Sequence, residues 1–347
     1  MVELIGQIAF NGFGNTLVKG DQVFFFEGNV VKGAKDFKVL WEYQHTASPY
    51  LLHSFNSYIL FQEGDERDIV ILDRHGEKKS TISGKYYLHS ERSNNNFLLM
   101  LEKNGEDWRW VKLYEDLRLE PTRIDATIGN FIIHENYLID SFALLRCWDA
   151  EKEMLLWEKD VTKYRLYQQS SVDVDGGVRD IYISEDILLV AFSEYLAAFR
   201  LNDGTLLWEK HYMPSGYHAW GFVENEVLYV LTGSRYFRKI DIRNGDVLLE
   251  TRHDFNCIHP GNGKKANLWS FKLTNIINAG KYMAGCTKLH NFLFLIDKKN
   301  GELVETRRLT GGAFPEIRNP ILFVNKKLYV LYMYKDHKEL MVFSIDG

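Results

Sequence analysis

A short motif recurs along this chain and constrains its fold more than any other feature. In each copy a run of β-forming residues is followed by a tight polar turn and a second such run, and the copies are spaced by roughly 40 to 55 residues. The copies lie at residues 147–157, 201–208, 241–249 and 297–304. A unit of this size cannot bury a core of its own, so the copies must stack against one another, as they do in solenoids and propellers.

The segments between the turns decide the class of secondary structure. Short apolar runs rich in Val, Ile, Leu, Phe and Tyr are separated by Gly, Asn and Asp, and no segment keeps helical spacing for three turns. The sequence therefore predicts an all-β protein. A chain of 347 residues would ordinarily hold about two domains. Because a repeat array of this length can fold as one unit, we expect a single β-propeller domain over residues 1–347.

The last strand of each unit gives the number of blades. Seven complete units have their last strands at residues 38–42, 79–82, 117–120, 154–158, 205–209, 247–250 and 302–305. An eighth unit lacks its fourth strand, but reading residues 345–347 straight into residues 2–7 reproduces the pattern of residues 300–305. We therefore predict an eight-bladed β-propeller of four-stranded blades, roughly 43 residues each, closed by the N-terminal strand; seven blades is the alternative. The weakest predicted strand is the third of the first unit, residues 29–35.

Residues 198–208, Ala-Phe-Arg-Leu-Asn-Asp-Gly-Thr-Leu-Leu-Trp, resemble the tryptophan-docking repeat of pyrroloquinoline-quinone-type β-propellers, whose pattern is Ala-x-Asp-x-x-Thr-Gly-x-x-x-Trp. The resemblance implies that Trp41, Trp157 and Trp208 lie flat between neighbouring blades, with Leu249 replacing the indole in one blade. The superfamily includes quinone-dependent alcohol dehydrogenases and an outer-membrane assembly lipoprotein, both exported. This chain has no vicinal cysteine pair, no calcium-ligand set on the family pattern and no lipoprotein cysteine near its start. The resemblance therefore implies the scaffold without the redox chemistry, and we expect no cofactor.

Charge and cysteine content argue against several classes of partner. The chain has 42 Lys and Arg against 47 Asp and Glu, and a net charge of −5 offers no basic field for a phosphate backbone. Cys147, Cys257 and Cys286 form no Cys-x-x-Cys pair, which favours a reducing compartment. Residues 1–8 lack the features of an export signal, and no apolar run approaches the roughly 20 residues needed to cross a bilayer. We expect a cytoplasmic, monomeric protein that binds neither nucleic acid nor membrane.

The sequence gives no positive case for catalysis or metal binding. Residues 173–180 have acids at alternate spacing but lack the later bidentate Glu of a calcium loop, and the triplet at 203–205 is a hairpin turn and not a sialidase-type aspartate box. His253, Cys257 and His259 fall in one loop and would need a ligand from another loop to hold a metal. A solvated loop is the preferred interpretation of that grouping.

The long connections that interrupt the repeat are the best candidate for a binding site. They cover residues 161–177, 211–218, 252–266 and 308–318, and in a propeller these links gather on one face. They are rich in Tyr, Trp and Arg, which dominate binding hot spots because they bury much area and keep a polar group. The predicted partner-binding residues are Tyr164, Arg165, Tyr167, His211, Tyr212, Tyr217, His218, His259, Lys264, Phe314 and Arg318. Trp220 and Trp269 fit either the core or this face.

These observations predict a non-catalytic protein that binds a protein partner through that face, as a scaffold or as a toxin-neutralising immunity protein. Two alternatives stay open. One is a hydrolase or lyase that uses the central channel, with His218 or His259 as general base. The other is a small-ligand or sugar-binding protein.

Overall fold

The computed structural model describes residues 2–11, 16–45, 49–64, 67–88, 96–125, 131–141, 144–169, 172–175, 177–192, 194–211, 218–232, 236–253, 256–258, 265–267, 273–287, 292–309, 321–334 and 337–345. Their strands form eight antiparallel sheets of four strands, which are the blades of a propeller, and two further sheets of two strands. The predicted all-β, eight-bladed fold is confirmed. No helix among these residues has the length and apolar character needed to cross a membrane.

The first half of the chain forms blades 1 to 4, preceded by β1 (Val2–Asn11), which belongs to the last blade. Blade 1 contains β2 (Leu17–Lys19), β3 (Gln22–Glu27), β4 (Val30–Lys35) and β5 (Lys38–Gln44), and blade 2 contains β6 (Pro49–Phe55), β7 (Tyr58–Glu63), β8 (Asp68–Asp73) and β9 (Lys78–Ile82). Blade 3 contains β10 (Tyr86–Tyr87), β11 (Phe97–Asn104), β12 (Asp107–Tyr114) and β13 (Leu119–Pro121), and blade 4 contains β14 (Phe131–His134), β15 (Tyr137–Ser141), β16 (Leu145–Asp149) and β17 (Met154–Lys159).

The second half forms blades 5 to 8 and carries the inserted elements. A short helix, α1 (Thr162–Arg165), and a hairpin of β18 (Leu166–Gln169) and β19 (Val172–Asp175) precede blade 5, which contains β20 (Asp180–Ser184), β21 (Ile187–Ala191), β22 (Tyr195–Arg200) and β23 (Leu206–His211). Blade 6 contains β24 (His218–Glu224), β25 (Val227–Thr232), β26 (Tyr236–Asp241) and β27 (Val247–Arg252), and a second hairpin of β28 (Asn256–Ile258) and β29 (Lys265–Asn267) follows it. Blade 7 contains β30 (Leu273–Ala279), β31 (Tyr282–Thr287), β32 (Phe292–Asp297) and β33 (Leu303–Arg308), and blade 8 contains β34 (Leu322–Val324), β35 (Lys327–Tyr334), β36 (His337–Ile345) and β1.

The ring is closed by the two ends of the chain. Strand β1 pairs antiparallel with β36, from Val2 opposite Ile345 to Asn11 opposite His337. First strands of neighbouring blades contact one another, including β34 of blade 8 with β2 of blade 1, so the first strands surround the centre and the fourth strands lie outside. Closure by the N-terminal strand was predicted and is confirmed.

The hydrophobic core is divided among the junctions between blades. Eight clusters of buried side chains lie between neighbouring blades, one cluster at each junction of the ring. Phe24 and Phe26 of blade 1 pack with Phe61 of blade 2, for example, and Val23 and Phe25 pack with blade 8. Each blade therefore buries both faces against its neighbours, which is why a single unit could not fold alone.

The tryptophans of the repeat lie between blades, as the sequence predicts. The indole nitrogens of Trp41, Trp157 and Trp208 each donate a 2.8 Å hydrogen bond to a backbone carbonyl in the next blade, those of Arg74, Leu201 and Ile242 respectively. Each indole also covers a glycine of the same turn, namely Gly76, Gly204 and Gly245, where a Cβ would lie within 2.7 Å of the ring. All three glycines have positive φ, so the turn requires glycine for its backbone as well as for space.

Three details differ from the sequence expectation. Residues 30–35 form a fully paired strand, whereas residues 29–35 were expected to be a poor one. Leu117, predicted to begin a strand, lies in a turn with φ +66°, and the strand begins at Leu119. His253 was placed in a solvated loop but is buried; burial lowers its pKa, although a hydrogen bond to the backbone carbonyl of Gly301 opposes that shift.

Large aliphatic side chains are exposed at equivalent positions of several outer strands, near the turn that precedes each strand. Every outer strand except β13 carries a one-residue bulge close to its turn. The bulged residues are Ile5, Leu40, Lys79, Leu156, Leu207, Leu248 and Val304. Leu40 and Leu248 are each 54% exposed, because the bulge turns the extra residue away from the ladder.

Candidate functional site

Two classes of connection meet at one face of the ring. In a four-stranded antiparallel blade, the turn between the second and third strands lies at the same end as the link from the fourth strand to the next blade. We call this end the linking face and the opposite end the turn face. The connections of the turn face have two to five residues, except for the one between β10 and β11, whereas the links on the linking face reach residues 160–179 and 253–272.

Both of the longest links contain a hairpin that the repeat does not explain. In the link before blade 5, β18 pairs with β19 from Leu166 opposite Asp175 to Gln169 opposite Val172. In the link before blade 7, β28 pairs with β29 from Asn256 opposite Asn267 to Ile258 opposite Lys265. These hairpins add ordered strand structure to the linking face outside the eight blades.

The first of these links is fixed to blade 5 by a short helical turn. Asp160 precedes α1, and its Oδ1 accepts a 2.8 Å hydrogen bond from the backbone N–H of Thr162, which is the interaction of an N-terminal cap. Val161 is 1% exposed, and its carbonyl accepts the N–H of Tyr164 at 3.0 Å. The buried valine and the cap together hold the turn so that the Tyr164 side chain points into the blade.

Tyr164 forms the floor of the site. Its ring is 4% exposed and packs 5.2 Å from the ring of Phe192 and 5.7 Å from that of Tyr195, measured between centroids. Its hydroxyl donates a hydrogen bond to Oε2 of Glu209 on β23. Tyr164 therefore connects the link to the turn after β21 and to the third and fourth strands of blade 5.

Charged and ionisable groups lie above this floor. The Lys163 ammonium is 2.8 Å from Oε2 of Glu209 and 4.4 Å from the centre of the Tyr164 ring. The ring of His211 lies 4.5 Å from that of Tyr195, and its Nε2 is 3.2 Å from Oε2 of Glu194. We call this set the Tyr195 cluster; it consists of Lys163, Tyr164, Phe192, Glu194, Tyr195, Glu209 and His211.

The cluster keeps its charged groups in contact with water. The side chains of Lys163, Glu209 and His211 are 60%, 40% and 39% exposed. The hydrogen bond from Lys163 and then that from Tyr164 lower the pKa of Glu209, and the same bond to Glu209 raises the pKa of Lys163. Burial, followed by the bond to Glu209, raises the pKa of Tyr164. At neutral pH the cluster therefore presents a carboxylate and an ammonium fixed on an aromatic base.

The structure brings two of the predicted site residues together and describes others in part. Tyr164 and His211 belong to the Tyr195 cluster, Tyr164 as its covered floor and His211 at its surface. Arg165, Tyr167 and His218 lie in α1, β18 and β24, with side chains outside the described part, as is that of Trp220 in β24. The remaining predicted residues lie outside the described residues: Tyr212, Tyr217, His259, Lys264, Phe314 and Arg318, together with Trp269.

Sequence reasoning did not find the other members of the cluster. Glu194 lies in the turn between β21 and β22, which looks like an ordinary connection. Tyr195 begins β22, and Glu209 follows the docking tryptophan on β23. A signal was available in the alternation of β23, because the exposed Glu209 and His211 share one side of the strand. Their common partner, the link before blade 5, is visible only once the blade is folded.

The Tyr195 cluster places exposed charged groups on an aromatic base at the rim of blade 5. No three His, Cys, Asp or Glu side chains within the described ranges come together as metal ligands. The pair of His211 and Glu194 lies where an outer strand ends, at the rim of blade 5 and away from the first strands that surround the centre. This pair is therefore separate from the general base considered for the central channel: His218 lies in the first strand β24, and His259 lies outside the described residues.

Comparisons with known proteins identify the fold. No protein-family model matches the chain, and no curated protein matches it. Among solved structures, BamB from Moraxella catarrhalis is 12% identical with a TM-score of 0.67, over 99% of this chain and 100% of that chain. The computationally designed Ika8 protein is 10% identical with a TM-score of 0.66, over 99% and 98% of the two chains. A europium-containing methanol dehydrogenase is 11% identical with a TM-score of 0.63, over 99% and 93%.

These similarities span nearly the full length of each chain. At such low identities they show a shared fold and nothing about activity. The resemblance to pyrroloquinoline-quinone-type propellers, predicted from the tryptophan-docking repeat, is confirmed at the level of architecture.

Proposed function

We propose that this chain is a non-catalytic propeller that binds a protein partner through its linking face, in the cytoplasm and as a monomer. The observation that carries the proposal is the concentration of added structure on one face. Both inserted hairpins, helix α1 and the Tyr195 cluster belong to the linking face, whereas the turn face consists almost entirely of connections of two to five residues. Loops held on a rigid scaffold are the usual place for binding residues.

The Tyr195 cluster suits protein recognition because its charged groups are already ordered. Lys163 and Glu209 hold each other at 2.8 Å, and both are supported by Tyr164 from below. Binding of a partner over this pair therefore costs less side-chain entropy than binding that must first order a free lysine and a free glutamate. Covering the pair also removes water from it, which strengthens its electrostatic interactions with complementary groups on the partner.

Affinity capture with the full-length chain from its native host tests the proposal. Lys163→Ala combined with His211→Ala removes two exposed side chains from the cluster and leaves the buried Tyr164 side chain in place. We expect recovery of the partner to fall at least about tenfold, which corresponds to roughly 1.4 kcal/mol. A second variant, Tyr212→Ala/Tyr217→Ala/His218→Ala, tests the neighbouring link with the same readout.

A matched control is available on the turn face. Lys79 forms exposed ion pairs with Asp73 at 2.9 Å and Glu77 at 2.8 Å, and His75 is exposed in the same turn. Lys79→Ala/His75→Ala therefore removes the same two residue types from the opposite face. Full recovery with the control and loss with the linking-face variants supports the proposal. Equal recovery with all variants, or loss with the control alone, contradicts it.

Scaffolding and toxin neutralisation differ in what the recovered complex contains. An immunity protein is expected to bind one partner and abolish that partner's activity, whereas a scaffold is expected to hold two or more partners at once. Native mass spectrometry of the complex, followed by an activity assay of the released partner, separates the two. A rise in melting temperature with a sugar or metabolite in place of a protein would favour the small-ligand alternative.

A further inference from the structure

The junction between blade 8 and blade 1 reverses the arrangement found at the tryptophan junctions. At those junctions an aromatic residue on the outer strand covers a glycine in the turn of the next blade, as Trp41 covers Gly76. Between blades 8 and 1, the outer strand β1 carries the glycine and the turn of blade 1 carries the aromatic residue. A Cβ on Gly6 would lie 2.3 Å from Cζ of Phe37, so the Phe37 ring fills the space that a side chain at position 6 would need.

Strand register shows that Gly6 stands at the tryptophan position. On β23, Leu206 pairs with Phe199 and Trp208 with Ala198, with the bulged Leu207 between them. On β1, Leu4 pairs with Phe343 and Gly6 with Val342, with Ile5 between them. The two strands have the same bulge and the same spacing, and Gly6 corresponds to Trp208.

Phe37 in turn stands at a position where the backbone favours glycine. It lies four residues before Trp41, as Gly204 lies four residues before Trp208. Gly204 and Gly245 have φ values of +68° and +74°, and Phe37 adopts +63°. A left-handed backbone is unfavourable for a residue with a side chain, whereas glycine adopts it readily. Gly6, by contrast, lies within a strand and has no positive φ that would call for glycine.

The geometry points to a closure key: Phe37 selects β1, out of the eight outer strands of the chain, as the strand that completes blade 8. Each of the other outer strands carries a side chain at the position of Gly6. These residues are Trp41, Ser80, Glu120, Trp157, Trp208, Leu249 and Glu305. Any of them placed beside blade 1 would meet the Phe37 ring where Gly6 leaves room.

Ion pairs hold the turn that carries Phe37. Lys327, at the start of β35 in blade 8, is 3.6 Å from Oδ1 of Asp36, the residue before Phe37. Within blade 1, Lys35 is 2.6 Å from Oδ2 of Asp21. The turn is therefore tied to blade 8 by charge and to its own blade by a second pair, which keeps the ring over β1.

The selection matters because this is the one blade assembled from both ends of the chain. All the other blades pair strands that follow one another in sequence, so their partners are local. Blade 8 must recruit a strand more than 300 residues away from β36. The outer strands resemble one another in sequence. Because only β1 has a glycine at this position, another outer strand, or β1 shifted by one residue, would not fit as the fourth strand of blade 8.

A double-mutant cycle in the full-length chain tests the key. Gly6→Trp places an indole against Phe37, and we expect the amide hydrogens of β1 to exchange at least about tenfold faster with deuterium. Phe37→Gly removes the opposing ring and relieves the left-handed strain. The combination Gly6→Trp/Phe37→Gly recreates the pair of Trp41 and Gly76, and we expect β1 exchange to return to within about threefold of the parent chain.

Further variants keep the test decisive. Gln7→Trp adds the same indole one residue away at an exposed position, and it should leave β1 exchange within about threefold of the parent. If Gly6→Trp does not fold, Gly6→Ala is compared in the Phe37 and Phe37→Ala backgrounds, because alanine at position 37 keeps the left-handed strain and removes the ring. The closure key is supported if β1 exchange is slower in Gly6→Trp/Phe37→Gly than in Gly6→Trp. It is also supported if Gly6→Ala accelerates β1 exchange less in the Phe37→Ala background than in the Phe37 background. Exchange in the double variant as fast as in Gly6→Trp, or an equal effect of Gly6→Ala in both backgrounds, overturns it.

Discussion

The indole nitrogen of Trp157 donates a 2.8 Å hydrogen bond to the backbone carbonyl of Leu201, which lies in the turn of the next blade. Trp157 is 7% exposed and belongs to the cluster between blades 4 and 5. The same contact recurs from Trp208 to Ile242 and from Trp41 to Arg74. Each tryptophan therefore joins a large buried apolar area to one directional bond, which fixes both the distance and the register between blades.

Removal of the Trp157 side chain should destabilise the whole ring. We expect Trp157→Ala to lower the free energy of unfolding by about 3–5 kcal/mol, because it leaves a cavity at a junction and removes the indole hydrogen bond to the Leu201 carbonyl. Trp108→Ala is the matched control, since Trp108 is 38% exposed. Urea denaturation of both variants measures the difference, and a loss as small as that of the control would argue against the docking role.

Gly204 should tolerate alanine much less well than a glycine of similar backbone conformation elsewhere. Gly204 has φ +68°, and a Cβ there would lie 2.6 Å from Cδ2 of Trp157. Gly20 has φ +62° with no atom within 4 Å of the same point. We expect Gly20→Ala to cost about 1 kcal/mol from backbone strain and Gly204→Ala about 1–3 kcal/mol more from the collision. Similar losses in the two variants would show that the indole moves aside freely.

The junction between blades 3 and 4 should depend on a buried ion pair in place of a tryptophan. The side chain of Lys112 is 3% exposed and its ammonium is 2.7 Å from Oε1 of Glu153, whose Oε2 accepts the N–H of Arg123 at 3.0 Å. Glu153→Gln leaves the ammonium without its carboxylate, so we expect a loss of about 3 kcal/mol. Glu120→Gln, which breaks an exposed pair with Arg118, should cost less than about 1 kcal/mol.

The same pair predicts a pH dependence of stability. Burial would raise the pKa of Glu153, but Lys112 and the Arg123 N–H outweigh burial and hold that pKa below its ordinary 4.5. A lowered carboxyl pKa contributes stability above about pH 4.5, and the contribution is lost as the pH falls through the folded-state value. Thermal melts between about pH 6 and pH 3 should therefore show a smaller decline for Glu153→Gln than for the parent chain. Parallel declines would contradict the pairing.

The exposed aliphatic residues at the outer bulges should not be needed for folding. Leu248 is 54% exposed, and blade 2 already has Lys79 at the corresponding bulge. We expect Leu248→Lys to change the free energy of unfolding by no more than about 0.5 kcal/mol. Leu249→Lys alters the next residue, which packs into the cluster between blades 6 and 7, and should cost about 2 kcal/mol or more. Chemical denaturation that finds the two variants equal would show that the bulge does not separate the two environments.

Most of the fold was predictable because the repeat is local. The spacing of Trp157 and Trp208 from their turns identifies the docking contact, and the unfinished eighth unit points to β1. The hairpins of the long links were not predicted. Their strands have only three or four residues each, half of them polar, and runs this short do not give a strand pattern.

The Tyr195 cluster and the contact between Gly6 and Phe37 were also not predicted, because each brings together residues that are distant in sequence. His211 and Glu194 are 17 residues apart, and nothing in the turn that contains Glu194 marks it as part of a cluster. Gly6 in a strand and Phe37 in a turn each look like a departure from the repeat when read alone. Only the folded ring brings the two departures together and shows that they compensate.

Cross-linking mass spectrometry of the complex recovered from the native host shows which face of the propeller the partner covers. Lys163 on the linking face and Lys152 on the turn face are both accessible to an amine-reactive reagent, because 60% and 75% of their side chains are exposed. If the partner binds the linking face, we expect partner cross-links to Lys163 and none to Lys152. Cross-links that reach Lys152 and spare Lys163 would contradict the proposal, because the partner would then occupy the turn face.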